Sequence, residues 1–178
     1  EHFLPGSMVN GFNCSYMTVS QSEELLTQKV GAYVLTIDTR NNGQESITAK
    51  QAGLSYDSDG SVDKLIRNQD RFTWFLAFNQ YRNYEVSSSI KYDEQKTEAA
   101  IAELKCMQQE NMTEPSDAHI EEKDDKFVIV PEQEGTALKP EKTSQDIIDA
   151  LVTGRTPVDL EADGCYKEPK VYQSDETL

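Results

Sequence analysis

Apolar and polar positions alternate from Tyr33 to Asp38, with Tyr33, Leu35 and Ile37 on one face and Val34, Thr36 and Asp38 on the other. That two-residue period is the mark of a half-buried strand. Asn41-Asn42-Gly43 follows, three residues that tolerate tight turns, so the pattern predicts a hairpin whose second strand runs from Glu45 to Thr48. Tyr84 to Tyr92 alternates in the same way and predicts one continuous strand, with Tyr84, Val86, Ser88, Ile90 and Tyr92 on one face. Ala118 to Glu121 is expected to pair with Phe127 to Val130 around the charged turn Lys123-Asp124-Asp125-Lys126. Shorter strands are expected at Met8 to Phe12 and at Val158 to Leu160.

Between these stretches the period changes to that of a helix. Thr18 with Gln21 three residues later is a capping box, which predicts a helix to about Val30 with Val19, Leu26 and Val30 facing inward. A second helix is expected from about Ser61 to Asn68, with Asp59 or Ser61 as its cap. Asp93 can cap a third, whose stripe is Thr97, Ala100, Ile101 and Leu104 and which ends near Met107. Pro140 suits the first turn of the last, which is expected to bury Ile147, Ile148, Leu151 and Val152. The predicted class is α+β: two related small units of helices packed on antiparallel β-hairpins. Ala52-Gly53-Leu54-Ser55-Tyr56-Asp57 closes the first unit, and the glycine- and aspartate-rich run to Gly60 marks the boundary. The expected organisation is residues 1–57, residues 58–163, and a linker or tail over residues 164–178.

Composition narrows the function classes. The chain has 178 residues with 37% hydrophobic side chains, enough for a modest core, and its uncharged apolar runs fall short of the roughly 18 residues that a membrane-spanning helix needs. Its 32 acidic residues against 17 basic ones give a formal charge of −15, which opposes nucleic-acid backbones and anionic lipid surfaces. Direct membrane insertion and nucleic-acid binding are therefore not expected. Glu1 is preceded by no methionine and followed by no basic region leading into an apolar one, so any signal or anchor segment is expected to have been removed, cut off or never to have existed.

Candidate chemistry is sparse. The three cysteines, Cys14, Cys106 and Cys165, form no CxxC pair, and the two histidines, His2 and His119, lie far from them in sequence, so no metal site is expected. Asp57-x-Asp59-Gly60-x-x-Asp63 resembles a calcium loop only in part, because the later bidentate glutamate is missing at the proper spacing. No serine sits in a glycine elbow that would anchor a Ser-His-Asp triad. No catalytic residue and no cofactor are assigned. The aromatic stretch Phe72 to Tyr84 offers Trp74, Phe78, Tyr81 and Arg82 as candidate ligand contacts, since sugar rings stack on aromatic faces and polar side chains bind their substituents. Trp74, Phe78 and Tyr81 also recur at helical spacing, the pattern of a packed helix.

The stretch Val128-Ile129-Val130-Pro131-Glu132-Gln133-Glu134-Gly135-Thr136-Ala137-Leu138 orders a β-branched strand, a proline stop and an acidic turn closed by glycine before the last helix. With Val9-Asn10-Gly11, Ser15 and Thr18 near the start, Gly53-Leu54-x-Tyr56, and Pro131-Glu132 with Gly135-Thr136 and Leu138, it resembles a known family. That family is the peptidoglycan-binding domain found upstream of the catalytic domain in membrane-anchored L,D-transpeptidases and in VanW-type proteins of Gram-positive bacteria. Where an aspartate or similar cap is common in the family, this chain has Lys139.

The resemblance implies a noncatalytic module that binds peptidoglycan or positions an enzyme against it. Its setting would be extracytoplasmic, at the bacterial cell surface, with membrane anchoring in the full-length protein and a catalytic domain downstream. The alternative reading is a structural spacer or protein-interaction module with no glycan affinity. In an extracytoplasmic setting Cys106 and Cys165 become the candidate disulfide, clamping the end of the second unit, with Cys14 as a small buried hydrophobe. The Ser-His-Gly-Cys motif of the transpeptidase is absent: Cys165 follows Gly164, but no histidine stands beside it.

Overall fold

The computed structural model describes residues 1–69, 82–86, 89–123 and 125–175. It is an α+β chain that divides into two compact units. No helix among the described residues is long and apolar enough to cross a membrane.

The first unit comprises Glu1–Val34, Thr48–Thr97 and Leu151–Gly154. Its opening segment was expected to be a single strand. It folds instead as a hairpin, β1 (Ser7–Val9) against β2 (Phe12–Asn13), because Asn10 (φ 48°) and Gly11 (φ 78°) take consecutive positive φ values and reverse the chain. The strand β6 (Arg82–Tyr84) lies parallel to β1 in the register Ser7 to Arg82 and Val9 to Tyr84.

The helix α1 (Val19–Gly31) starts where the sequence placed it. Thr18 accepts from the Gln21 backbone N–H at 3.2 Å, and Gln21 accepts from the Thr18 N–H at 3.0 Å, so two orphan donors of the first turn are satisfied. Leu26 and Val30 are buried as expected; Ser22 joins them, while Val19 is only half-buried. Replacing Thr18 with alanine should cost about 1 kcal/mol, read as a lower urea midpoint at unchanged slope.

Around α1 gather Phe3, Val9, Cys14, Val62, Ile66 and Val86, which form the core of this unit. The helix α3 (Ser61–Arg67) contributes Val62 and Ile66 from one face. Its cap position is Gly60, with Asp59 accepting from the Ser61 N–H at 2.9 Å and from the Ser89 hydroxyl at 2.9 Å. The short helix α2 (Ala49–Ala52) is held by a second capping box, Thr48 with Gln51, and leads to β5 (Ser55–Tyr56).

The continuous strand expected from Tyr84 to Tyr92 does not form. β6 ends at Tyr84, and the chain joins a different sheet as β7 (Ile90–Lys91), antiparallel to β5. At the change of sheet, Asn10 Oδ1 accepts from the Val86 N–H at 2.8 Å, so a side chain replaces the strand partner there.

The second unit comprises Leu35–Ile47, Glu98–Ala150 and Arg155–Leu178. The expected hairpin is present as β3 (Val34–Thr39) and β4 (Gly43–Thr48), joined by a turn over Arg40–Asn42, and it buries Leu35, Ile37 and Ile47. β10 (Val158–Asp159) adds to the same sheet parallel to β3, pairing Val158 with Ile37. The helix α4 (Glu94–Ala102) is shorter than expected, but the whole predicted stripe Thr97, Ala100, Ile101 and Leu104 is buried. Asp93 accepts from the Lys96 N–H at 3.0 Å, as a cap should, and this bond lowers its pKa.

The ribbon β8 (His119–Lys123) with β9 (Lys126–Val130) pairs Ile120 with Ile129 and Glu122 with Phe127. The helix α5 (Pro140–Thr153) begins at the proline and buries Ile147, Ala150 and Leu151. Residues just beyond Gly164, read from composition as linker or tail, are packed: Cys165 and Tyr166 are buried, and Tyr166 bridges to Leu138. The Lys139 N–H donates to the Cys165 carbonyl and the Lys167 N–H to the Ala137 carbonyl, both at 2.8 Å. Backbone pairing thus replaces the apolar periodicity that sequence reading relied on.

Candidate functional site

The first unit contains a cleft of about 520 Å³. That volume is within the usual range for small-ligand sites. Four chain segments supply most of its described lining. The β1–β2 turn supplies Asn10, Gly11 and Phe12; the end of α1 and its exit supply Lys29 and Tyr33; β6 and its continuation supply Asn83, Tyr84 and Glu85; and the end of α5 supplies Leu151 to Gly154. Leu26, Val30, Leu54 and Ile90 add apolar lining.

Local folding fixes these groups. Asn10 is anchored twice, its N–H donating to the Tyr84 carbonyl at 2.8 Å and its side-chain oxygen accepting from Val86. The Tyr84 ring stands 6.3 Å from that of Phe3, tilted by 37°, and its hydroxyl accepts from Gln69 at 3.3 Å. Lys29 places its ammonium 5.6 Å from the centre of the Phe12 ring, a cation–π contact. Lys29 and Glu85 are both exposed and are, among the described residues, the two ionic side chains of the lining, of opposite sign. The described lining therefore joins three aromatic rings, two amides and an apolar floor without net charge.

Of the ligand contacts expected from sequence, Trp74, Phe78 and Tyr81 lie outside the described residues. Arg82 is described: it sits in β6, half-buried, and its Nη1 has no hydrogen-bond partner among the described residues. It does not line the cleft, whereas its neighbours Asn83 and Tyr84 do.

The acidic turn that marks the family resemblance is a structural joint in the second unit. Arg40, with a side chain only 13% exposed, forks onto Glu161, Nη2 to Oε1 at 2.7 Å, and donates through Nη1 to the carbonyls of Glu134 at 3.1 Å and Gly135 at 2.8 Å. Its guanidinium lies 4.2 Å from the Tyr166 ring centre, and its own N–H donates to the Tyr166 hydroxyl at 2.7 Å. The pair with Glu161 raises the Arg40 pKa and lowers that of Glu161, each mainly through the shared hydrogen bonds. All three guanidinium nitrogens hydrogen-bond within this unit, so the group serves the joint.

The three thiols are free. Cys165 donates to Asp146 Oδ2 at 3.2 Å; burial, then this carboxylate, pushes it up to about 11. Burial and the neighbouring Glu45 push Cys106 up to about 12, and burial raises Cys14. Such thiols stay protonated, the opposite of what a cysteine nucleophile requires. His119 is exposed on β8, its Nδ1 3.2 Å from the Asp117 carbonyl. Among the described residues no group of three or more histidine, cysteine, aspartate or glutamate side chains could hold a metal.

The pair Cys106 and Cys165, the disulfide candidate from sequence, can be checked by alkylation. The native chain at mildly alkaline pH should react at least about tenfold more slowly than the unfolded chain, and unfolding without reductant should expose three labelled thiols. Two thiols that resist labelling until reductant is added would instead mark a bridge.

The described residues form an α+β fold with a cleft of small-ligand size in the first unit. The chain belongs to the family described as "Putative peptidoglycan binding domain", whose model matches residues 45–159. No curated protein matches significantly. No solved structure does either.

Proposed function

We propose that the chain is a noncatalytic module that binds bacterial peptidoglycan and positions a secreted or membrane-anchored protein against the cell wall. The observation that carries this reading is the family match over residues 45–159. Peptidoglycan is the partner and the extracytoplasmic face of a bacterium is the setting. The chemistry of the parent protein, an L,D-transpeptidase domain by the motif resemblance, belongs to a downstream domain.

Side-chain chemistry supports the noncatalytic part. A hydrolase or transpeptidase needs a nucleophile or a general acid–base pair. The thiols of Cys106 and Cys165 are pushed away from ionisation, and the hydrogen-bonded Arg40–Glu161 pair is committed to structure.

Incubation of the intact chain with purified sacculi tests both halves. The chain should sediment with the wall, and the released muropeptides should match a control without protein. Raising salt should leave the bound fraction constant or higher, because the formal charge of −15 repels anionic wall polymers and salt screens that repulsion. Retention in the supernatant would favour a spacer without glycan affinity, and new muropeptides would reveal an enzyme.

A further inference from the structure

We infer that the cleft of the first unit takes the neutral glycan strand of peptidoglycan, a run of β-linked N-acetylated hexosamine rings, rather than its charged stem peptides. The inference rests on the peptidoglycan-binding reading and names which part of the polymer the cleft recognises.

The lining decides between the two parts. A stem peptide presents carboxylates and amines, and a site that selects it needs fixed charges aimed at them. Among the described residues this cleft has one cation, Lys29, and one anion, Glu85, which cancel locally, in a chain whose formal charge of −15 already repels carboxylates. Teichoic acid phosphates are disfavoured on the same ground.

An N-acetylated sugar needs something else. Its C–H faces need aromatic rings, its acetamido group needs amide partners, and its methyl needs an apolar pocket. Tyr33 and Tyr84 supply rings, and Asn83, exposed on β6, supplies an amide. Asn10 has its oxygen engaged by the Val86 N–H, which leaves its –NH₂ to donate toward a sugar carbonyl or hydroxyl. Loss of net charge at the site thus matches a ligand without net charge.

The test uses the intact chain, isotopically labelled, titrated with the soluble tetramer of β-1,4-linked N-acetylglucosamine and separately with a synthetic stem tetrapeptide, beside sedimentation with sacculi. The tetramer should shift the resonances of Asn10, Tyr33, Asn83 and Tyr84 in a saturable way, and the tetrapeptide should not. Asn83→Ala should weaken tetramer binding at least fivefold, and Lys64→Glu, at an exposed position of α3 outside the cleft lining, should change it less than twofold, with the spectra of both variants showing the native fold. Sedimentation with sacculi while the tetrapeptide shifts the cleft, or while the tetramer shifts residues elsewhere or none, would overturn the glycan assignment and leave the wall-binding reading standing. Failure to sediment together with no shift by either probe would overturn both.

Discussion

Gly135→Ala is expected to destabilise the second unit by about 2 to 4 kcal/mol. Gly135 sits at φ 65°, a region that a residue with a Cβ enters at a cost. A Cβ there would also stand 2.8 Å from both the Glu114 carbonyl carbon and the Pro115 nitrogen, backbone atoms that cannot swing aside as a side chain can. The turn is pinned on both sides. The N–H groups of Thr136 and Ala137 donate to the Thr113 carbonyl at 2.7 and 3.0 Å, and Ser116 and Gln133 exchange both backbone hydrogen bonds. Relief by backbone shift would break these. Urea unfolding should show a lowered midpoint, and Gly135→Asn, a residue that accepts positive φ more readily, should recover only the conformational part of the loss.

Arg40→Ala should cost a comparable amount, about 2 to 4 kcal/mol, because it leaves two backbone carbonyls and the Tyr166 face without their partner. The exposed end of the pair contributes little of this. Glu161 is more than half exposed, so its removal should cost less than removal of Arg40, whose side chain is enclosed. Arg40→Lys should rescue poorly, since an ammonium cannot fork onto a carboxylate while reaching two carbonyls.

Acid titration supplies a second readout. Glu161 has a folded pKa held below its ordinary 4.5 by Arg40, so its contribution is present above the unfolded value and is lost as pH falls through the folded one. In Arg40→Ala the fall in stability below that ordinary value should be shallower than in the parent chain. An unchanged acid profile would mean that the pair is not formed in solution.

Much of the local structure was legible in the sequence because its causes are local. Thr18 with Gln21 specifies a helix start by itself, and the alternation of Leu35 and Ile37 ahead of Asn41-Asn42-Gly43 specifies a hairpin. The same holds for β8 with β9 and for the proline at the start of α5. The order of the turn motifs is that of the family whose model matches residues 45–159.

What escaped sequence reading depends on distant partners. Alternation from Tyr84 to Tyr92 looked like one strand because period alone cannot say that two different sheets compete for it. Arg40 carries no local signal, since Glu161 and Tyr166 lie more than a hundred residues away. Cys165 and Tyr166 looked like tail because main-chain bonds hold them, and backbone bonds leave no hydrophobic pattern. The cleft is assembled from segments far apart in the chain, and apart from Asn10, Gly11 and Leu54 its residues belong to none of the motifs. Asn10 and Gly11 belong to the entry motif; their positive φ values show that the motif there specifies a turn, which shapes one wall of the cleft.

The central claim is that this module binds peptidoglycan. A binding isotherm of the intact, folded chain on purified sacculi stripped of teichoic acids tests it most directly. The account predicts a saturable curve that excess unlabelled chain displaces; a bound fraction no greater than that of an unrelated protein of similar acidity, at every wall concentration, would contradict it.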